Sequence, residues 1–251
     1  MKSLILADIH ANLPALEAVF EQEGSWDELI VLGDIVVAGP YPDEVLTLLA
    51  TENGVFIRGN HDQEALEVDL DAPQPDAHWE WIQWTRRRLS KRNHDFLASL
   101  PDTCAIERDG ISLRLIHGHF PREVGRRLWP DSPPEQFEAI TGLYQEAMVL
   151  FGHVHVQFQH VCQRTTFVNP GTVGAPYMGQ SLACYAVLQD GQCELKATPF
   201  DVDRICRAMD ERVHLSDFEF AEGWKACWRT GELPPCYSVR DYTPLRQIGY
   251  R

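Results

Sequence analysis

Five short stretches of this chain place Asp, Asn and His where an apolar run ends: Asp8-Ile9-His10, Gly33-Asp34, Arg58-Gly59-Asn60-His61-Asp62, His117-Gly118-His119 and Gly152-His153-Val154-His155. Carboxylate oxygens, an amide oxygen and neutral imidazole nitrogens are the donors that hold divalent transition metals, and a site for two such ions needs a set of this size. Taken singly, each stretch reads as a cap, a turn or a satisfied polar group. Taken together they would bury many polar groups at strand ends, a cost that a bound cation relieves. Asp8 and His10 are two apart, so on a chain leaving a strand they point the same way, and His153 and His155 repeat that spacing. Gly33 removes a Cβ where the backbone must bend, which lets the Asp34 carboxylate come close enough to bridge two ions.

Such donors need a scaffold that brings them to one edge. Residues 2 to 7 read as a buried strand, and Asn12-Leu13-Pro14 starts a helix with Asn12 as cap and Pro14 in the first turn. A strand at 29 to 32 ends at Gly33-Asp34, a helix from about Asp43 carries Val45, Leu46, Leu48 and Leu49, and a strand at 55 to 57 runs into the Gly59-Asn60-His61-Asp62 loop. Alternation of strand, loop and helix predicts an α/β layout with polar residues gathered at the strands' carboxyl ends, where ligands bind. Residues 63 to 103 break that rhythm with an acidic stretch and an aromatic helix pattern (Trp79, Trp81, Ile82, Trp84, Leu89), read as a helical insertion. Asp109-Gly110 marks a hairpin, and strands near 156 to 161, 165 to 168, 183 to 188 and 193 to 197 make the later sheet mixed or antiparallel. A helix with Ile205 and Met209 and a Trp-containing extension, 201 to 251, complete a single domain of residues 1 to 251.

Composition narrows the function classes. Twenty-two Lys and Arg against 37 Asp and Glu give a net charge of −15, which argues against stable nucleic-acid or anionic-membrane binding. Seven scattered cysteines without a Cys-x-x-Cys pair suggest neither a disulfide framework nor a zinc ribbon. The chain runs straight into structure without a signal-peptide pattern, so a cytoplasmic location is expected. An acidic protein still acts on phosphates when bound cations reverse the local field.

The ordered set Asp8-x-His10, Gly33-Asp34, Gly59-Asn60-His61-Asp62, His117 and Gly152-His153-x-His155 resembles the signature of the calcineurin-like metallophosphoesterase superfamily. Asp8-Ile9-His10-Ala11-Asn12, Gly39-Pro40 and Asn169-Pro170-Gly171-Thr172-Val173-Gly174 resemble, more narrowly, its small bacterial phosphodiesterase branch. The resemblance implies a four-layer α/β/β/α sandwich of two mixed sheets flanked by helices, and two divalent ions; mixed carboxylate, amide and imidazole donors suit Mn, Fe or Zn. It implies that Asp8, His10, Asp34 and His155 hold one ion, and that Asp34, Asn60, His117 and His153 hold the other. A hydroxide shared by the ions would then attack phosphorus. It further implies that His61 protonates the leaving-group oxygen while the adjacent Asp62 fixes its tautomer.

Asn12, Asn60 and His61 are the expected substrate contacts, with helix capping an equal account of Asn12. His119 either lines the pocket or supports His117. His78 has no motif context and reads as an ordinary polar residue. Where the branch often carries Arg and Asp after the Asn-Pro-Gly loop, this chain has Ala175-Pro176-Tyr177-Met178, which points recognition toward something stackable or apolar, with Tyr177 the suspect. The expected function is a dinuclear phosphodiesterase acting on a small phosphodiester or nucleotide. A phosphomonoesterase or protein serine/threonine phosphatase shares the chemistry, and a non-catalytic scaffold of the same fold is the alternative from another class.

Overall fold

The computed structural model describes residues 1–118, 120–125 and 127–232. His119, Cys236 and the last nineteen residues of the expected extension lie outside them. Ten strands and eight α-helices occur among the described residues. The first half runs β1 (Lys2–Leu6), α1 (Leu13–Glu23), β2 (Glu28–Val31), α2 (Pro42–Leu49), β3 (Gly54–Phe56), α3 (Asn60–Glu67), α4 (Ala77–Arg88) and α5 (Lys91–Ser99). The hairpin β4 (Thr103–Arg108) and β5 (Ile111–Ile116) follows, then α6 (Pro134–Leu143), β6 (Met148–Leu150), β7 (Gln157–Cys162) and β8 (Thr165–Pro170). The strands β9 (Ala183–Gln189) and β10 (Gln192–Thr198) and the helices α7 (Val202–Arg212) and α8 (Phe218–Thr230) end the described chain.

Two five-stranded sheets form, in the orders β10-β9-β1-β2-β3 and β4-β5-β6-β8-β7. Both are mixed, because β9 joins the first sheet antiparallel to β1 while β5, β6 and β8 run parallel in the second. The strands near 183 to 197 therefore do not extend a separate antiparallel half; they cross back to flank β1, with Ile5 opposite Ala186. Strand alternation explains the layering. Leu4 and Leu6 of β1 face the helices, in a core with Leu16, Val45 and Trp224. Ile5 and Ala7 turn the other way and meet Leu113, Leu115, Leu150 and Val168 between the sheets. A third cluster, Phe137, Ile140, Val149, Phe151 and Phe167, seats α6 on the outer face of the second sheet. The result is the α/β/β/α sandwich, helices outside and sheets face to face.

Helix α3 begins three residues before the expected start of the insertion at 63. Asn60 is already the first residue of α3, so the motif expected as a loop is a helix start, capped by Gly59 and closed by the Asp62 side chain accepting from the Gly59 N–H at 2.9 Å. The aromatic stripe of α4 packs on the C-terminal helices: Trp81 meets Trp224 edge-on with ring centroids 5.6 Å apart, and the Trp84 indole donates to the Arg212 carbonyl at 3.1 Å. No helix among the described residues is long and apolar enough to cross a membrane.

Candidate metal centre

The donors collect where parallel strands of the two sheets end side by side. β1 stops at Leu6 and β6 at Leu150, so Asp8, His10, His153 and His155 lie past the pleat. Their convergence does not come from strand alternation. Asp8 (φ 53°), His10 (φ 48°), Asp34 (φ 50°), His153 (φ 71°) and His155 (φ 58°) all occupy the left-handed region, which curls each loop back over the sheet edge. That conformation costs about 1 kcal/mol or more per non-glycine residue, and such strain gathers at functional sites because the surroundings over-determine it.

The surroundings are visible in the backbone. The Asp8 N–H donates to the Gly33 carbonyl at 3.0 Å and the His10 N–H to the Asp34 carbonyl at 2.9 Å, extending the β1–β2 pairing through the curled segments. The Asn169 to Gly174 loop braces the opposite side: Thr172 Oγ1 donates to the Asp8 carbonyl at 2.9 Å and Asn169 Nδ2 to the Gly152 carbonyl at 2.8 Å. Gly59 is required by proximity, since a Cβ there would land on Asp34 Oδ1.

The side chains form two groups of ligand atoms, each within 4.8 Å of one another: Asp8, His10, Asp34 and His155, and Asp34, His117 and His153. Asp34 belongs to both. His117 Nε2 is 3.2 Å from Asp34 Oδ2, and His155 Nε2 is 3.4 Å from Asp8 Oδ1. The far nitrogens of both rings are held by carbonyls, His117 Nδ1 donating to Leu32 at 2.7 Å and His155 Nδ1 to Ala175 at 3.1 Å, which directs each Nε2 to the centre. His10 Nε2 and His155 Nε2 stand 3.2 Å apart. Asn60 Oδ1 is buried with no donor among the described residues, and so is His10 Nδ1.

Electrostatics follow from this crowding. Burial and the neighbouring His155 push His10 well below its ordinary value, so it is neutral and ready to donate a lone pair. Burial acts the same way on His117, but the Asp34 carboxylate outweighs it and holds the imidazole up at about 10. Burial would raise Asp34, yet His117 and His61 keep it well below the carboxylate range. Buried carboxylates, imidazole nitrogens and an orphaned amide oxygen are a donor set that fits two hard-to-borderline divalent cations, one of which, at His117 Nε2, would displace the proton that the raised imidazole carries.

The remaining expected residues divide. The Asp62 carboxylate is fully buried and accepts from the backbone N–H groups of Ile35 (2.9 Å), Val36 (3.0 Å) and Gly59 (2.9 Å). It does not hold the His61 ring, contrary to the expectation; a carboxylate at the third position of a helix reaches back to its own cap rather than to the preceding side chain. Burial and the Asp34 charge push its pKa up to about 6. The partner of His61 is Glu64, whose Oε2 is 2.8 Å from Nδ1. Asn12 is also corrected: it is fully buried, Oδ1 capping α1 through the Ala15 N–H (3.1 Å) and Nδ2 donating to the Gly174 carbonyl (3.0 Å), so it is committed to structure rather than to substrate.

Three residues outside the five donor stretches also come near the centre. His78 of α4 approaches Glu64 at 3.8 Å, Arg127 Nε is 3.3 Å from His153 Nε2, and the Tyr177 ring stacks on His155 with centroids 4.4 Å apart and planes 7° from parallel. Of these, the sequence singles out Tyr177 alone, through the unusual loop.

Two mixed sheets packed face to face, with a carboxylate shared by two ligand groups at their common edge, define a metal-dependent phosphoester hydrolase architecture. The family model described as calcineurin-like phosphoesterase superfamily domain matches residues 1–190, and the chain belongs to that family. It is 28% identical over 229 residues to an uncharacterized protein of Methanocaldococcus jannaschii, spanning 81% of this chain and 90% of that one. It is 26% identical over 204 residues to the phosphodiesterase YfcE of Escherichia coli, spanning 76% and 88%. The structure of a metallophosphoesterase from Sphaerobacter thermophilus superposes with a TM-score of 0.76 at 25% identity, covering 92% of this chain and all of that one. A hypothetical protein from Pyrococcus horikoshii gives 0.77 at 23% identity, covering 92% and 99%, a likeness of fold.

Proposed function

We propose that the chain is a two-metal phosphodiesterase acting on a small phosphodiester or nucleotide. The observation that carries the reading is the sharing of Asp34 between two ligand groups, one buried and one buried but for a half-exposed His153. Asp8, His10, Asp34 and His155 would hold one divalent ion, and Asp34, Asn60, His117 and His153 the other; when bound, the pair supplies Lewis-acid charge and an activated water. Preference for a diester is supported by the name of the relative YfcE.

The chain's own groups do the rest. His61 sits beside His10, ring centroids 5.4 Å apart, and with Nδ1 engaged by Glu64 its Nε2 is the nitrogen left to pass a proton to the departing oxygen. Tyr177, stacked on His155, offers a flat face at the rim for a base or other planar group. Arg127 supplies a cation beside His153 for a phosphoryl oxygen. Substrates are small esters in the cytoplasm rather than nucleic-acid polymers or membrane lipids, in keeping with the net charge of −15.

The test is turnover of bis-aryl against mono-aryl phosphates by full-length protein reconstituted separately with Mn²⁺, Fe²⁺ and Zn²⁺, with metal content measured alongside. Two ions per chain and faster diester cleavage are expected. Faster monoester cleavage would transfer the assignment to a phosphomonoesterase, and full metal loading without turnover would return the scaffold reading.

A further inference from the structure

The helical insertion reaches the reacting edge through a side-chain row that the metal ligands do not account for. His61 and Glu64 are three apart on α3 and therefore share a face, and His78, second residue of α4, closes the row from the neighbouring helix. Glu64 Oε2 lies 2.8 Å from His61 Nδ1 and 3.8 Å from His78 Nε2. The His61 and His78 rings meet edge to face with centroids 5.5 Å apart. Side-chain exposures of 19% for His61, 30% for Glu64 and 25% for His78 place the row at the mouth of the site, partly screened from water.

A carboxylate accepts only, so the hydrogen between Glu64 and His61 sits on Nδ1. That leaves Nε2 to exchange a proton with substrate and removes the ring's freedom to flip. We infer that Glu64 is a positioning residue for His61, and that His78, contributed by the insertion, positions Glu64 in turn. The arrangement does for a leaving-group acid what outer hydrogen bonds do for a metal-ligating imidazole: it sets tautomer and orientation without touching substrate. It gives the insertion a part in the reaction beyond packing. This inference rests on the reading of His61 as proton donor.

The experiment uses full-length, metal-reconstituted protein and the variants Glu64→Gln, Glu64→Ala, His78→Ala and His61→Ala. Each is assayed on two phosphodiesters of one acyl-free scaffold, one with a p-nitrophenyl and one with an alkyl leaving group, with metal content measured in parallel. The expected result for Glu64→Ala is a loss of about 10-fold or more in kcat on the alkyl ester, KM and metal content unchanged, and a much smaller loss on the p-nitrophenyl ester, which needs no acid. Glu64→Gln keeps an acceptor oxygen at the same reach and should recover most of that loss; being isosteric, it also keeps the question answerable where Glu64→Ala folds poorly. His78→Ala should show the same leaving-group pattern, weaker. Equal losses on both esters, or no loss in either Glu64 variant while His61→Ala is impaired on the alkyl ester, would overturn the positioning role and leave the donor reading intact. Loss of one metal ion per chain in Glu64→Ala would overturn it differently, since His61, Glu64 and His78 are also close enough to hold a cation. An unimpaired His61→Ala would sink the donor reading itself.

Discussion

His117 shows how one side chain carries the chemistry of the centre. With Asp34 at 3.2 Å it is held at about 10, so a cation that takes its Nε2 must expel a proton. Below about pH 10 metal uptake should therefore release a proton, and affinity should fall as pH falls, by up to about tenfold per pH unit for each proton displaced. Calorimetric titration of Mn²⁺ in buffers of different ionisation enthalpy counts that proton; uptake without release would contradict the assignment of His117 as a ligand. Asp34 is the residue both groups share, so Asp34→Asn should lower metal content at both positions, read by elemental analysis. His61→Ala should retain both ions yet lose roughly 10²-fold in turnover of esters with poor leaving groups.

The start of α3 does three jobs within three residues. Asn60 leaves a buried amide oxygen without a partner among the described residues, His61 meets Glu64, and Asp62 ties the β2 extension to the helix through the Ile35, Val36 and Gly59 N–H groups. Removing that carboxylate leaves buried donors unpaired at about 1–3 kcal/mol each. Asp62→Ala should therefore lower the thermal midpoint markedly and reduce turnover by displacing Asn60 and His61, whereas a direct proton-transfer role would spare stability. Gly59→Ala should act through Asp34: its methyl group occupies the place of Oδ1, so metal content should drop while helical content by circular dichroism stays the same.

Layer-to-layer contacts hold the edge in place. Glu23, at the end of α1, meets Lys2 of β1 at 2.7 Å, pairs with Lys196 of β10 and accepts from the Tyr185 hydroxyl of β9 at 2.7 Å. Burial would raise its pKa, but the two ammonium groups and the phenol outweigh it and hold it at about 2, against an ordinary 4.5. A depressed carboxylate stabilises the fold fully above pH 4.5 and loses that contribution as pH falls toward 2. Allowing for solvent around the lysines, the amount is on the order of 2 kcal/mol. Glu23→Gln should flatten the acid limb of stability against pH in urea titrations between pH 5 and pH 2, with little change in that slope above pH 6. On the same helix-covered face of the first sheet, Trp81 and Trp228 bind the insertion and α8 to the body, the Trp228 indole donating to the same Gly174 carbonyl that Asn12 uses. Trp81→Ala should cost about 3–5 kcal/mol in denaturant unfolding, because the large buried ring leaves a cavity between α4 and α8.

Donor chemistry was legible from residue type and order: Asp, Asn and His at the ends of apolar runs announce a metal centre wherever the chain folds them, and the period-two and capping patterns announce most of the strands and helices. Asn12, Pro14 and the Asp109-Gly110 turn did locally what their covalent structure dictates. What local pattern could not reveal was which elements meet. The return of β9 to β1 is set by long-range pairing between strands equally apolar on paper, and the convergence of Asp8 with His10 comes from left-handed backbone that only the packed neighbours make affordable. The role expected of Asp62 falls to Glu64 for the same reason: a helix turn, invisible until α3 packs, sends the Asp62 carboxylate to the cap and puts Glu64, three residues beyond His61, against the imidazole.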